Sequence, residues 1–479
     1  MSRILNVLGI LLTVLACAQV VPLLADLVAG NPDWMVFAVS SVLTLFLGMS
    51  LVLANASNEE RITVREGYLL TALAWVILPL CGAAPFLFSV EGLSITDAVF
   101  ESVSGITTTG STVLTGLDTL PPGLLLWRSM QQWIGGIGII VMGVAILPLL
   151  RVGGMQLMKT ESSDTSDKVL PRAKQVATGI FAVYIVLTLS CAIAYGLAGM
   201  TSFDAINHAM TTIATGGFST HDASFGYFQS GWLPWIAVFF MICGALPFSL
   251  YLKAIGRDPM LLIRNSQVRF FLGFCLFVIV LMAFWAWRTM PLSFSEALSQ
   301  SAFNTISIVT TTGFANADYT LWGSASVVFL IITFAGGCSG STSGSVKMFR
   351  YQLMWSFLKS QVNRLIHPHG VFPVTYDGHD VSSDIVLSVT AFLALYLISW
   401  FGLSVALAAC GLGFQTSVSA AATALTNVGP GLGPIVGPAG NFSSLDNPEK
   451  WLLAGGMLLG RLELFTLFVM ITPRFWRDF

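Results

Sequence analysis

Long apolar stretches recur along this chain of 479 residues with little sequence between them. A helix needs about 20 apolar residues to cross a hydrocarbon core of roughly 30 Å. Ten stretches approach or exceed that length: 4–28, 34–54, 68–90, 123–150, 176–200, 231–252, 270–288, 321–358, 385–410 and 451–473. The sequence therefore predicts an all-α polytopic membrane protein with ten transmembrane helices.

The composition agrees with a membrane protein. Hydrophobic residues make up 55% of the chain and charged residues only 10%, whereas soluble proteins carry about 25% charged residues. A net charge of −2 with no basic tail gives no electrostatic footprint for nucleic acid, so we expect membrane lipid as the surrounding partner and no DNA or RNA. The first stretch is long enough to span, which favours a retained helix over a cleaved signal peptide.

The positions of the basic residues predict the orientation of the chain. Eighteen of the 22 Lys and Arg residues fall on one side of the ten predicted spans. Cytoplasmic loops carry an excess of Lys and Arg. Both termini are therefore predicted to be cytoplasmic.

Four of the predicted outer loops contain a short segment of small, apolar and hydroxyl residues. These segments are residues 96–108, 203–215, 295–311 and 415–427. Each is too short to cross a bilayer, which favours a re-entrant helix that dips in and returns. Asp97, Asp204 and either Ser295 or Glu296 stand near the starts of three of them, where an oxygen or a negative charge suits a helix N-terminus. The alternative for any single segment is an amphipathic outer loop.

Each short segment ends in a tetrad of residues rich in threonine and glycine. Tetrads 1 to 4 are Thr107, Thr108, Thr109, Gly110; Ala214, Thr215, Gly216, Gly217; Thr310, Thr311, Thr312, Gly313; and Thr426, Asn427, Val428, Gly429. The last glycines are separated by 107, 96 and 116 residues, which indicates a fourfold internal repeat. The predicted divisions are an extra N-terminal two-helix hairpin at 1–60 and pore repeats at 61–170, 171–265, 266–375 and 376–479.

The tetrads are candidate cation ligands. Extended backbone whose carbonyls face one axis can replace the water shell of a cation, and glycine permits the angles that this requires. Irregular backbone at membrane depth is tolerated only where it is buried or lines a watery cavity, so the four tetrads should converge on one axis. One tetrad alone would be an ordinary turn, but recurrence in four matching positions favours a selectivity filter in a fourfold pseudo-symmetric pore.

The eighth apolar stretch is interrupted by ten small residues. They are Gly336, Gly337, Cys338, Ser339, Gly340, Ser341, Thr342, Ser343, Gly344 and Ser345. A lipid-facing helix of this composition would be costly, so we interpret the segment, with Lys347 behind it, as an intramembrane gate loop below the tetrads. A cytoplasmic linker that ends the span early is the alternative, and the return of apolar sequence at 349–358 argues against it.

Arg461 lies at the centre of the last apolar stretch. An ionisable residue at that depth normally faces a polar interior. It is predicted to form a positive barrier beside the ion path. The alternative is a structural ion pair with a carboxylate that the sequence does not identify.

Taken together, these residues resemble the TrkH/Ktr family within the superfamily of potassium transporters, over the whole chain and including the extra hairpin. The most specific segments are Ser307-Ile308-Val309-Thr310-Thr311-Thr312-Gly313-Phe314, Asn427-Val428-Gly429-Pro430-Gly431, Gly460-Arg461-Leu462-Glu463 and Arg364-Leu365-Ile366-His367-Pro368. Two departures, Ala214 in tetrad 2 and Asn427-Val428 in tetrad 4, leave open only the register of the second glycine pair.

The resemblance implies one pore for K⁺ as the transported ion, in a homodimer of the bacterial inner membrane. It also implies a cytoplasmic nucleotide-binding subunit of the TrkA kind. This chain itself is expected to bind no nucleotide, because residues 340–347 lack the GK[ST] ending of a Walker loop.

The sequence thus predicts a gated, moderately selective potassium-uptake pore that is not an enzyme. The main alternative is an ion-coupled secondary transporter, with H⁺ or Na⁺ symport by alternating access. Such transporters place broken helices in two inverted repeats, whereas these repeats are parallel. A membrane enzyme is the most distant possibility, since no cluster of His, Asp and Glu stands at the cytoplasmic edge.

Overall fold

The computed structural model of the protein describes residues 2–55, 63–89, 92–145, 169–256 and 258–477, and in these ranges the chain is overwhelmingly helical. Its α-helices are Ser2–Ala18, Val20–Ala29, Trp34–Ala54, Val64–Gly82, Ala84–Phe88, Ile95–Ile106, Pro122–Ala145, Val169–Leu197, Ser202–Ile213, Leu233–Ala245, Phe248–Gly256, Leu261–Arg264, Ser266–Thr289, Phe294–Val309, Ser326–Thr333, Met348–Ile366, Ser383–Ala409, Phe414–Thr426, Asn447–Arg461, Phe465–Ile471 and Pro473–Arg477. Short 3₁₀ turns occur at Leu117–Thr119, Ser224–Tyr227, Tyr319–Ala325 and Phe442–Ser444.

Six apolar segments in the described ranges are long enough to cross a membrane. They are Ser2–Ala29, Trp34–Ala54, Arg65–Phe88, Gln175–Leu197, Ser266–Thr289 and Ser383–Ala409, and a bent helix pair, Leu233–Ala245 with Phe248–Gly256, makes a seventh. Of the remaining predicted spans, the fourth contains the continuous helix Pro122–Ala145. Residues 146–150 of the fourth stretch lie outside the described residues, and the eighth and tenth stretches are interrupted.

Four short helices coincide with the predicted dipping segments to within two residues. We call Ile95–Ile106, Ser202–Ile213, Phe294–Val309 and Phe414–Thr426 pore helices 1 to 4. Pore helices 1 to 3 begin at the N-caps Ser94, Thr201 and Ser293, whose hydroxyls accept a hydrogen bond from the backbone N–H three residues on. The acids predicted at these starts, Asp97, Asp204 and Glu296, stand at that third position, while Ser295 lies one residue before it.

The second helices of repeats 2 to 4, which follow the tetrads, are all broken. In repeat 2 the two halves meet at 91° across Leu246 and Pro247, because proline cannot donate the helical hydrogen bond. In repeat 3 residues 334–347 separate Ser326–Thr333 from Met348–Ile366. In repeat 4 the break falls at Glu463 and Leu464, whose φ angles of 53° and 55° end Asn447–Arg461. The apolar stretches 231–252 and 451–473 are therefore each divided between two helices.

The N-terminal helices form a hairpin that is attached to repeat 1 through a carboxylate. Asp26 Oδ1 accepts a hydrogen bond of 2.6 Å from the N–H of Gly123, in the first turn of Pro122–Ala145. Negative side chains stabilise helix N-termini, where N–H groups lack intrahelical partners. A β-carbon on Gly123 would overlap the Asp26 carboxylate, so glycine is required at this contact.

A small hairpin follows Met348–Ile366. Its strands, Thr375–Tyr376 and His379–Asp380, pair antiparallel. The turn residues Asp377 and Gly378 both have positive φ, 49° and 81°, as two-residue hairpin turns that match the strand twist require.

Candidate functional site

All four pore helices end in the same backbone turn, directly before or within the tetrads. The N–H of the third tetrad residue donates to the carbonyl five residues earlier, in the pairs Thr109 with Ser104 (2.9 Å), Gly216 with Thr211 (2.9 Å), Thr312 with Ser307 (2.8 Å) and Val428 with Thr423 (3.1 Å). The second tetrad residue is left-handed each time, with φ of 53° at Thr108, 50° at Thr215, 60° at Thr311 and 56° at Asn427. This combination is a Schellman motif, which satisfies carbonyls left free at a helix end.

The fourth tetrad residue is a glycine with positive φ in every repeat. The angles are 86° at Gly110, 78° at Gly217, 87° at Gly313 and 100° at Gly429. Residues with a β-carbon rarely adopt such angles. The shared angle also fixes the register that the sequence left open: Gly217, and not Gly216, is the counterpart of the other three glycines.

The four glycines bring the tetrads together in a closed ring. A β-carbon on Gly110 would overlap the carbonyl oxygen of Gly216 in tetrad 2. In the same way, a β-carbon on Gly217 would overlap Thr312 O of tetrad 3, and one on Gly313 would overlap Val428 O of tetrad 4. The ring closes where a β-carbon on Gly429 would lie 2.7 Å from Thr109 O. The structure therefore brings all sixteen predicted tetrad residues to one place, in the cyclic order 1, 2, 3, 4.

The ring is rich in oxygen atoms and lies inside the protein. In tetrads 1 and 3 the hydroxyls of the first and third residues are paired, Thr107 with Thr109 and Thr310 with Thr312, both at 2.7 Å. Among the described residues no group of three or more His, Cys, Asp or Glu side chains could hold a metal ion. The oxygens in the ring are thus those of backbone carbonyls, threonine hydroxyls and the Asn427 side-chain amide, which suit hard cations.

A buried ion pair beside the ring was not predicted from the sequence. Arg128 Nε lies 2.7 Å from Glu101 Oε1, with the two side chains 1% and 0% exposed. Arg128 also donates to Ser219 O, just after tetrad 2, and to Thr112 Oγ1, just after tetrad 1. The pair therefore joins pore helix 1 to the segments that leave two tetrads. The only sequence signal was a second acidic residue, Glu101, in the interior of pore helix 1 beyond Asp97 in its first turn.

The predicted gate loop, residues 336–345, is irregular and almost wholly buried. It is bonded to the bend of repeat 2. Cys338 N–H donates to Ala245 O at 2.9 Å, the Thr342 hydroxyl donates to Gly244 O at 2.9 Å, and Phe248 N–H donates to Gly340 O at 2.9 Å. The loop thus takes up carbonyls that the bend removes from helical bonding. An exposed linker would make no such contacts.

The gate loop also contacts the tetrads. Gly344 N–H donates to Thr311 Oγ1 at 2.8 Å, and Ser343 Oγ lies 3.2 Å from the same hydroxyl. A β-carbon on Gly344 would lie 2.5 Å from Thr426 O. The loop therefore lies directly against tetrads 3 and 4.

Arg461 is buried and reaches the gate loop. Its Nη1 donates to Thr342 O at 3.1 Å. In the described part of the chain its Nε and Nη2 have no hydrogen-bond partner and no carboxylate lies within ion-pair distance. The structure thus brings together the two predicted gate elements and offers no partner for the structural ion pair that was the alternative.

Lys347 pairs with a carboxylate that the sequence analysis did not assign. Its Nζ lies 3.4 Å from Glu463 Oε1, and Arg350 Nη2 lies 2.5 Å from Glu463 Oε2. Arg350 also stacks on Phe392, with 3.7 Å between the guanidinium carbon and the ring centroid. Glu463 therefore joins the end of the gate loop to the break in the last helix.

The whole chain matches proteins of one family. The profile of the TrkH family, described as a cation transport protein, matches residues 34–477. The chain is 46% identical over 487 residues to the Trk system potassium uptake protein TrkI of Halomonas elongata, covering 100% of this chain and 97% of that protein. It is 37% identical over 480 residues to the Trk system potassium uptake protein TrkH of Escherichia coli strain K12, covering 99% of each. The crystal structure of the potassium transporter TrkH from Vibrio parahaemolyticus superposes with a TM-score of 0.91 at 35% identity, covering 99% of each chain.

The fold and the oxygen-lined ring define a membrane transport protein for cations. The chain belongs to the TrkH family of cation transport proteins. It is a transporter and not an enzyme. The resemblance inferred from the tetrads and the Arg461 segment is confirmed.

We expect Arg128→Met to destabilise the protein strongly. The change leaves Glu101 charged and buried without its cationic partner, which costs about 3–5 kcal/mol. The measurement is thermal unfolding of the purified protein in detergent.

The control is the double variant Glu101→Gln/Arg128→Met, which removes both charges and should recover most of the lost stability. Equal destabilisation in the single and double variants would contradict a role for the ion pair.

Proposed function

We propose that this protein mediates potassium uptake and that K⁺ passes through the ring of tetrads 1 to 4. The closed ring of four backbone strips is the observation that carries the proposal. In this proposal the carbonyl oxygens of the four strips surround the ion, as they do in cation filters. The names of the relatives, potassium uptake proteins in several bacteria, support K⁺ as the cation.

We propose moderate selectivity. Each tetrad has one glycine at the ring contact; the other positions carry threonine, asparagine or valine, except in tetrad 2, which has Ala214 and Gly216. A filter with few ordered carbonyl sites discriminates less sharply between K⁺ and Na⁺ than one with many such sites. K⁺ entry through it needs no pump, because the membrane potential supplies about 2.3 kcal/mol per charge for each 100 mV.

Gly313→Ser should lower the K⁺/Na⁺ permeability ratio. Serine adopts the φ of 87° poorly, and its β-carbon would overlap the carbonyl of Val428. The ratio is measured from cation-resolved flux in proteoliposomes.

Gly323→Ser is the matched control. Gly323 also has positive φ, 62°, but nothing lies within 4 Å of its β-carbon position, so backbone strain is introduced away from the ring. An unchanged ratio after serine substitution at Gly110, Gly313 and Gly429 in turn would refute the filter assignment.

We propose that residues 336–345, with Lys347 and Arg461, form the closed gate on the inner side of the ring. The loop fills the space against tetrads 3 and 4, and the guanidinium repels a partly dehydrated cation. At an effective dielectric of 20, a like charge about 5 Å away costs roughly 3 kcal/mol, which slows passage on the order of a hundredfold. Among the described residues no carboxylate lies within ion-pair distance of Arg461, so no negative side chain there neutralises the guanidinium.

Arg461→Met should raise the basal K⁺ flux, because methionine keeps the side-chain length and removes the charge. Arg461→Lys should retain much of the barrier. Removing residues 338–344 should give a pore that leaks. Expression and flux are measured side by side in proteoliposomes.

The ion-pair alternative predicts loss of folded protein in Arg461→Met. Normal expression with unchanged flux in both Arg461→Met and the loop deletion would overturn the gate proposal.

We further propose that the protein is a homodimer with ten spans, re-entrant pore helices 1 to 4 and both termini on the cytoplasmic side of a bacterial inner membrane. A TrkA-like cytoplasmic subunit would bring the nucleotide sensitivity for which this chain has no motif. The basic stretches 151–174 and 253–269 are candidate contacts for an acidic partner; residues 151–168 and 257 lie outside the described residues.

We expect a soluble nucleotide-binding protein to purify with this chain from its native membrane. Nucleotides should then change K⁺ flux in vesicles that hold both proteins and have no effect on vesicles that hold this chain alone. A nucleotide response of the isolated chain would show that the partner proposal is wrong.

A further inference from the structure

One buried glutamine beside the ring donates a hydrogen bond to a backbone carbonyl of the ring. Gln132, on Pro122–Ala145, is buried and makes two hydrogen bonds to tetrad 2 and the residue after it. Its Nε2 donates to Gly216 O at 2.7 Å, and its Oε1 accepts from Phe218 N–H at 3.0 Å. Gly216 O is also the carbonyl that the ring places against Gly110. Gln132 is thus bonded to an oxygen of the ring itself.

Tetrad 2 lacks the side-chain bond that joins the first and third residues of tetrads 1 and 3. Tetrads 1 and 3 hold their first and third residues together by the paired threonine hydroxyls. In tetrad 2 those positions are Ala214 and Gly216, which have no hydroxyl. In the part of the chain that the structure describes, Gly216 is the one third-position residue whose carbonyl accepts a side-chain hydrogen bond.

The glycine at position 216 is explained by the same contact. A β-carbon on Gly216 would overlap the side-chain amide of Gln132. The other tetrads carry Thr109, Thr312 and Val428 at this position. At its third position tetrad 2 therefore has no side chain, and the amide of Gln132 on a neighbouring helix occupies that space and donates a hydrogen bond.

The other repeats offer an internal comparison. Gly135, Gly244 and Gly460 occupy matching places in repeats 1, 2 and 4. A β-carbon on each would crowd the carbonyl of the residue just before the tetrad, which is Ile106, Ile213 or Leu425 respectively. Three residues before these glycines stand Gln132 in repeat 1 but Met241 and Met457 in repeats 2 and 4. Methionine is thus accepted at the corresponding place in the same fold, and the glutamine has a reason beyond filling space.

We propose that Gln132 is a positioning residue that sets the selectivity of the ring among alkali cations by orienting the Gly216 carbonyl. The inference rests on the proposed filter. A carbonyl oxygen has two lone pairs, so the amide can hold one while a cation uses the other. The bond fixes the carbonyl direction and makes tetrad 2 a different ligand from the other three.

The test is Gln132→Met, which introduces the residue found in repeats 2 and 4. We expect the K⁺/Na⁺ permeability ratio in proteoliposomes to fall about three- to tenfold, the effect of losing one hydrogen bond. The matched control is Gln131→Met. Gln131 is equally buried but donates to Gly82 O and Ser102 Oγ, away from the tetrads, so it should lower thermal stability to a similar degree and leave the ratio unchanged.

A second variant separates orientation from packing. Gln132→Glu keeps the size and the acceptor for Phe218 N–H; its protonated carboxyl still donates to Gly216 O, whereas its carboxylate does not, so the K⁺/Na⁺ ratio should change as the pH rises through the titration of this carboxyl. An unchanged ratio in Gln132→Met, with Gly313→Ser still changing it, overturns the role of Gln132 and leaves the filter standing. An unchanged ratio in all three variants refutes the filter itself. If neither Gln132 variant folds while Gln131→Met does, Gln132 is a folding residue and the proposal is wrong.

Discussion

Close approach of four backbone strips is the constraint on which the rest of this structure depends. At each ring contact a carbonyl oxygen occupies the space that a β-carbon of the neighbouring glycine would need. Polar backbone at this depth is tolerated only when it is bonded or faces a polar cavity. The Schellman turns supply the bonding, and they also stop each pore helix so that the next residues enter the ring. Glycines on the following helices then let those helices pack against the pore-helix ends.

The backbone repeats four times, but the side chains that support it do not. Hydroxyl pairs brace tetrads 1 and 3, and Gln132 braces tetrad 2. In tetrad 4 the amide of Asn427 donates to Thr109 Oγ1 and to Met457 O. A homotetrameric channel must solve this problem once and copy the solution, whereas one chain can solve it separately in each repeat. Tetrads 1 and 3 are therefore alike, whereas tetrads 2 and 4 differ from them and from each other despite equal geometry.

Much of the architecture could be predicted from the sequence, for physical reasons. Segments too short to span but too apolar for solvent leave few options beyond dipping helices, and the observed ends lie within two residues of those predicted. The gate loop was recognisable because ten small residues cannot form a stable lipid-facing helix. The left-handed threonines Thr108, Thr215 and Thr311 were not, since threonine gives no signal for that conformation.

Most side-chain partners could not be predicted from the sequence. Glu101 and Arg128 are 27 residues apart on different helices, and Gln132 and Gly216 are 84 apart. No periodicity links such pairs, so only the packing of the helices reveals them. Glu463 stands two residues after Arg461, a spacing that does not bring side chains together on a helix, and its partners, Lys347 and Arg350, come from another repeat.

The bend at Leu246 and Pro247 has a consequence for biosynthesis. Its free carbonyls on Gly244 and Ala245 are satisfied by Thr342 and Cys338, and Cys338 is translated 93 residues after Ala245. Chains are made and inserted from the N-terminus, so repeat 2 enters the membrane before its own bend can be completed. Until repeat 3 arrives, those carbonyls must be met by water or by the insertion machinery. Repeat 2 is thus a separate unit in the sequence, but its fold is completed only when repeat 3 has been inserted.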